Sequence, residues 1–237
     1  MTSESALPWT HAALRTAVAN RSAQFWCKRT LDVLSGALLV VLLLPLLLVI
    51  AALIKIDSPG PVLFVHQRVG ARRRMQAGRP VWAVADFPMF KFRSMVDHAD
   101  QALHRAQVLA FVQGRLNPSG SAKLENDPRV TRVGRLLRRT SLDELPQLFN
   151  VLRGEMSLVG PRPVPPYEVA AYVDWQRERL AALPGITGLW QVTGRGVVTF
   201  DDMVRLDIEY VRTQSLWLDL RLLLATIPAV VSGRGAV

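Results

Sequence analysis

Between Val33 and Ile54 the chain carries no charged residue, and this run, VLSGALLVVLLLPLLLVIAALI, constrains the fold more than any other feature. As a helix rising about 1.5 Å per residue it measures roughly 33 Å, close to the thickness of a bilayer's hydrocarbon core. A cleaved secretory signal is a poor match: the run starts late, is long, and has no small-residue cleavage site before the next charge. Two features argue against a simple span. Pro45 lies near the middle, where it removes a helical hydrogen bond and favours a kink. Positive charge flanks both ends, Lys28 and Arg29 before the run, Lys55 and Arg68 after it. The positive-inside rule places both flanks in the cytoplasm. A kinked helix that enters and leaves by one face satisfies both observations. An ordinary span with a tolerated proline stays open, as does a buried core helix.

The remainder of the 237-residue chain is long enough for one domain. A formal net charge of +10 calls for an anionic partner: nucleic acid, phospholipid headgroups or a phosphorylated substrate. Nucleic-acid binding explains the charge but not the apolar run, and no helix-turn-helix or zinc-finger pattern is present. Cys27 is the single cysteine, so there is no intrachain disulfide. His11, His66, His98 and His104 form no HExxH-like cluster, which argues against a zinc enzyme.

Three regions follow from the pattern: a juxtamembrane arm over 1–27, a membrane helix over 28–57, and a domain over 58–237 that holds the candidate catalytic residues. The arm from His11 to Trp26 mixes apolar residues with Arg15 and Arg21 and suits a membrane surface. Val62–Val65 and Val81–Val84 read as a small hairpin. The Arg68–Arg79 stretch between them reads as a solvated loop beside lipid headgroups. Helices are expected over Asp97–Gln113, Val130–Arg139, Leu145–Leu152, Glu168–Leu180 and Asp201–Val211, with a strand at Met156–Val159. Asn117–Asn126 reads as loop. Thr199 and Asp202 are spaced as a capping box. The last helix, from Ser215, is apolar with Trp217 near its start, which fits core packing or an in-plane membrane contact. The fold class expected is α+β and mostly helical, with a small β element, amphipathic interfacial helices and a Pro-kinked N-terminal helix for which the re-entrant form is the favoured of the open readings.

Chemistry concentrates in Arg138-Arg139-Thr140-Ser141-Leu142-Asp143-Glu144-Leu145-Pro146-Gln147. Pro146 suits a first helical turn and biases Leu145 away from helical geometry. Asp143 and Glu144 thus fall at a helix N-terminus, where the dipole favours ionised carboxylates. A positioned aspartate can attack phosphorus, and a neighbouring carboxylate can help hold Mg²⁺. Plain capping, with Ser141 and Glu144 as a box, accounts for the same pattern. In Gly160-Pro161-Arg162-Pro163 two prolines stiffen an arginine suited to phosphate, or simply to an exposed turn. Lys91 and Arg93 are two apart and would point the same way in a strand, which suits a diphosphate or a lipid surface. In Pro184–Arg195, glycines permit close backbone approach, Trp190 offers a stacking face, and Arg195 can meet a phosphate; alone this is a turn-rich loop.

Taken together, Lys28-Arg29 with Asp32, the apolar run, SPGPVLFVHQRVG (58–70), KFRSM (91–95), NDPRVTRVGRLLRRTSLDELPQLFNVLRGEMSLVGPRP (126–163) and PGITGLWQVTGR (184–195) resemble the bacterial sugar transferases. These are monotopic polyprenyl-phosphate phosphoglycosyl transferases, and the resemblance is to their short form, without a large N-terminal membrane bundle. It implies a re-entrant helix in the bacterial inner membrane with the active site on the cytoplasmic face. It also implies a ping-pong reaction in which Asp143 attacks the β-phosphate of a UDP-sugar, UMP leaves, and undecaprenyl phosphate displaces the aspartate. Glu144 is then the partner carboxylate with Mg²⁺, Arg162 binds phosphate, and Lys91 and Arg93 assist. The implied partners are a UDP-sugar, undecaprenyl phosphate and an anionic phospholipid membrane, with no nucleic acid; a homodimer is compatible. Two departures stand out. Leu44 precedes Pro45 where family members often carry serine, and the stretch from Gly70 to Lys91 is long and arginine-rich. A non-catalytic membrane adaptor is the alternative function, and it would not need the Asp143–Glu144 pair. Neither the sugar nor the pathway is legible.

Overall fold

The computed structural model describes residues 13–14, 22–97, 100, 102–115, 127–193 and 198–231. Helix α1 (Ser22–Asp57) contains the whole apolar run and continues through Pro45, so the proline does not end the helix. A proline in a helix interior removes one hydrogen bond and crowds the preceding turn, and lipid-facing helices tolerate this. One face of α1 lies on the protein body. Leu47, Ile50 and Ile54 pack with Phe92 and Leu137. The opposite side exposes Leu34, Leu38, Val41, Leu42, Leu48 and Val49.

Both ends of α1 are tied to that one body. Near the start, Lys28 Nζ lies 2.7 Å from Asp219 Oδ2, and Asp32 Oδ1 accepts the Leu158 N–H at 3.1 Å. Near the end, Arg93 donates to the carbonyls of Ser58 (2.6 Å) and Pro59 (2.7 Å).

After α1 comes a hairpin of β2 (Leu63–Gln76) and β3 (Arg79–Phe92), antiparallel with Leu63 opposite Phe92 and Gln76 opposite Arg79. Strand β1 (Ala13–Leu14) pairs on the far edge of β3. The hairpin is much longer than the two four-residue strands the sequence suggested, and Arg68–Arg79 is strand and tight turn instead of a solvated loop. Pairing explains the difference: Trp82 and Val84 on β3 are buried, and Trp82 meets Phe25 of α1 edge-on at 5.9 Å. Arg73 covers the same Phe25 ring at 4.8 Å.

The helical part follows: α2 (Ala102–Val112), α3 (Arg132–Thr140), a 3-10 turn (Leu142–Glu144) and α4 (Gln147–Arg153). Gly134 lets α3 touch the chain leaving β3, because a Cβ there would sit 2.0 Å from the Ser94 carbonyl oxygen. Strand β4 (Ser157–Val159) pairs in parallel with β5 (Gly185–Thr187). Between them lie α5 (Pro166–Val169) and a 3-10 segment (Asp174–Leu180). The single helix expected over Glu168–Leu180 is therefore broken. The bend brings Glu168, Tyr172 and Arg179 together: Glu168 Oε1 accepts the Tyr172 hydroxyl at 2.6 Å and Arg179 at 3.3 Å. The chain ends in α6 (Leu189–Thr193), α7 (Phe200–Thr213) and α8 (Leu216–Val231). Thr199 caps α7, accepting the Asp202 N–H at 3.2 Å, while the Asp202 carboxylate takes the Thr199 hydroxyl at 2.7 Å in place of the backbone bond of a full capping box. Helix α8 joins α1 through Lys28–Asp219 and exposes Trp217, Leu220, Leu224 and Ile227. The Asn117–Asn126 reading and most of the 1–27 arm lie outside the described residues.

Candidate active site

The site is built on the turn between α3 and α4. Helix α3 stops at Ser141, which takes a left-handed conformation (φ 57°) and returns its N–H to the Arg138 and Leu137 carbonyls. The side chain of Ser141 does not cap the following turn, so the Ser141–Glu144 box is not formed. Leu145 is right-handed helical (φ −53°, ψ −36°) although it precedes Pro146. The proline's bias is outweighed because the turn runs on into α4, with Leu148 N–H bonded to the Leu145 carbonyl at 3.0 Å and Leu145 packed against the α1 cluster. The result presents Asp143 and Glu144 on one short 3-10 turn. The flanking Leu142 and Leu145 rest against the cluster formed with Leu47, Ile50 and Ile54 of α1.

Lys91 is brought to these carboxylates by β3. Asn150 of α4, fully buried, accepts the Phe90 N–H at 2.9 Å and donates to the Pro88 carbonyl at 2.7 Å. These bonds fix β3 against α4 one residue before Lys91. Lys91 Nζ then lies 2.6 Å from Glu144 Oε1 and 3.9 Å from Asp143 Oδ2. Arg138 approaches from α3, its Nε donating to Ser94 Oγ at 2.9 Å. Burial lowers the pKa of Arg138, and the charge of Asp143 acts against that shift.

The other anticipated phosphate ligands separate into three cases. Arg162 follows β4, held where Gly160 crosses the β5 chain so closely that a Cβ would meet the Leu183 carbonyl oxygen at 2.3 Å. Its guanidinium sits 5.9 Å from the Trp190 ring centroid. Arg93 is buried and its hydrogen bonds run to Ser58, Pro59 and the last turn of α1. It anchors the exit of the membrane helix and does not share the Lys91 contact. The strand ends at Phe92, so the alternation that would have aligned the two cations stops short. Arg195 lies outside the described residues.

Three residues that the sequence reading did not single out as site residues belong to the same cationic surroundings. Arg68 on β2 is buried, and its pKa is lowered to about 10 by burial and then by the charge of Arg162. His66 is pushed down to about 3, by burial first and then by Arg68, His104 and Lys91. His104 falls to about 4, by burial and then by Arg68, Arg162, Arg138 and Arg129. Both imidazoles are neutral at neutral pH. The only available signal was their place in HQRVG and α2, and a strand pairing over 63–76 was needed to see which faces met.

Asp143 and Glu144 supply two adjacent carboxylates, and among the described residues no group of three or more His, Cys, Asp or Glu side chains gathers. That donor set fits Mg²⁺, which takes one or two carboxylates and fills its shell with water and substrate phosphate.

Fold and site together fit a monotopic membrane protein with a carboxylate–lysine centre in cationic surroundings. The pattern of the bacterial sugar transferase family matches residues 23–233, and the chain belongs to that family. The undecaprenyl-phosphate galactose phosphotransferase of Salmonella typhimurium is 41% identical over 219 residues, covering 92% of this chain and 43% of that protein. The exopolysaccharide production protein ExoY of Rhizobium meliloti is 41% identical over 215 residues, covering 88% of this chain and 87% of ExoY. The undecaprenyl-phosphate glucose phosphotransferase of Komagataeibacter xylinus is 43% identical over 221 residues, 88% of this chain and 36% of that protein. The chain thus spans less than half of the two phosphotransferases and most of ExoY.

Proposed function

We propose that this protein transfers a phospho-sugar from a UDP-sugar to undecaprenyl phosphate, an early membrane step in assembling a polysaccharide or related glycoconjugate. The observation that carries the reading is the placement of Asp143 and Glu144. They are met by Lys91, and the leucines beside them pack against the apolar helix α1. A nucleophile there reaches a lipid phosphate held at headgroup depth. The names of the relatives, two of them undecaprenyl-phosphate sugar phosphotransferases, support the substrate pair.

In this mechanism an Asp143 carboxylate oxygen attacks the β-phosphorus of the UDP-sugar. The bond from that phosphorus to the bridging oxygen breaks, and UMP leaves with the electron pair. A phosphate oxygen of undecaprenyl phosphate then attacks the same phosphorus and displaces Asp143, leaving polyprenyl diphospho-sugar. Lys91 orients the two carboxylates, and Arg162 binds phosphate through its fork of N–H donors. Mg²⁺, held by Asp143 and Glu144, would neutralise phosphate charge. Such transfers rely on positioning and charge neutralisation, which this arrangement supplies.

The membrane geometry is part of the proposal. A straight span separates the ends of a helix by the bilayer, yet Lys28 and Asp32 near one end and Ile54 near the other contact a single body. This supports a helix that enters and returns on the cytoplasmic side of the inner membrane, bending at Pro45. The exposed apolar face of α8 extends the lipid-contacting surface.

The test is UMP release from a panel of UDP-sugars by detergent-solubilised protein with Mg²⁺ and undecaprenyl phosphate. Lipid-dependent release from one sugar supports the reading and names the donor. No release from any sugar by folded protein would favour the adaptor.

A further inference from the structure

Arg68 is only 6% exposed, and its Nε has no hydrogen-bond partner among the described residues. A buried cation without compensation is unfavourable, because desolvation removes its hydration and nothing replaces it. The carboxylates near enough to influence it, Glu168 and Glu144, are engaged elsewhere. Glu168 takes the Tyr172 hydroxyl and Arg179, and Glu144 takes Lys91. The other neighbours make matters worse: Arg162 adds a second positive charge, and His66 and His104 contribute neutral rings. The backbone holds this arrangement, since the Val69 N–H bonds to the Val164 carbonyl at 2.7 Å and so ties β2 to the loop that carries Arg162. Two guanidinium groups held together, neither of them in an ion pair among the described residues, form a receptor for an anion.

We propose that Arg68 and Arg162 together form a phosphoryl-binding subsite beside the Asp143–Glu144 turn, with Arg68 a substrate-binding residue for the reaction. The inference deepens the proposed function and rests on it for the identity of the ligand. The shared chemistry is a phosphate oxyanion, which either the nucleotide or the polyprenyl phosphate can supply. The subsite holds phosphate oxygens by bidentate N–H donation and neutralises charge that would repel the Asp143 carboxylate.

The experiment uses the full chain in detergent, unaltered and as Arg68→Met and Arg68→Lys. UMP and a short-chain polyprenyl monophosphate are titrated separately by calorimetry, and each variant's Tm is recorded without ligand. Arg68→Met is expected to keep or raise the Tm, because it removes an uncompensated buried charge of similar volume. It is expected to weaken one of the two ligands at least tenfold, and Arg68→Lys to recover part of that loss. The ligand affected identifies the source of the phosphate. Unchanged affinity for both ligands in both variants overturns the inference while leaving the transferase reading intact. Failure of both variants to fold also overturns it, because the guanidinium would then be a structural requirement. If the unaltered protein binds neither probe, the inference and the proposed function fall together.

Discussion

Two clusters in this protein are made from the same kinds of residue and are used differently. Around Arg179, Glu168, Tyr172 and Asp207 form a network in which Arg179 and Asp207 are 0% exposed. Its members are paired with one another inside a hydrophobic shell of Val69, Val164, Val169 and Val204. Around Asp143, the side chains of Lys91 and Glu144 remain 22% and 30% exposed, and Arg68 and Arg162 stand near with no ion pair of their own among the described residues. The first cluster holds α5, the 174–180 segment and α7 together, with Arg179 Nε and Asp207 Oδ1 left without a hydrogen-bond partner among the described residues. The second carries surplus positive charge at an accessible edge, next to the apolar helix. The first cluster sets two carboxylates against its buried arginine, and the second holds more cations than carboxylates.

Exchange of single groups should separate the two. Asp143→Asn is expected to lower lipid-dependent UMP release by about a thousandfold or more, the scale of an essential nucleophile. Its Tm should stay near that of the unaltered protein; a Tm loss as large as that of the buried network would break the comparison. Asp207→Asn should do the reverse. Leaving Arg179 with half its compensation costs about 3–5 kcal/mol of stability, read as an earlier denaturant midpoint. Glu144→Gln should reduce turnover about a hundredfold and change its Mg²⁺ dependence. Stability should move by less than about 1 kcal/mol, because the Lys91 pair is partly solvated.

The smallest expected effect concerns pH. His104 is held near 4 by burial and the surrounding arginines, but returns to about 6.5 when unfolded. Between those values the unfolded chain binds the extra proton. The contribution of this residue is therefore fully present above about pH 6.5 and is lost as pH falls toward 4. His104→Gln should flatten the decline in denaturant midpoint over that window; an unchanged slope would show that the imidazole is not shielded.

Local signals in the sequence carried much of the fold. Thr199 marks the start of α7, Gly154 marks the end of α4, and the apolar run defines α1. What escaped depends on distant partners. The arginines between Arg68 and Arg79 hid a strand because the pairing that satisfies its backbone lies on β3, and because Phe25 of α1 provides a ring for Arg73. The break after Val169 depends on an arginine ten residues later turning inward. The Asp143–Glu144 pair was legible from its motif, and Lys91 was found beside it. Arg93 carries the same charge two residues on, yet serves the end of α1; only the point where β3 stops separates their roles. Arg68 was hidden for a related reason, since burial and an absent partner are properties of packing.

Whether Asp143 carries the phospho-sugar is decided by intact-mass measurement of the protein incubated with the active UDP-sugar, without lipid. Up to one equivalent of UMP should be released, with a matching mass increase of one sugar phosphate, its removal on adding undecaprenyl phosphate, and no increase in Asp143→Asn. An adduct that persists in Asp143→Asn, or full lipid-dependent turnover by that variant, would contradict that role.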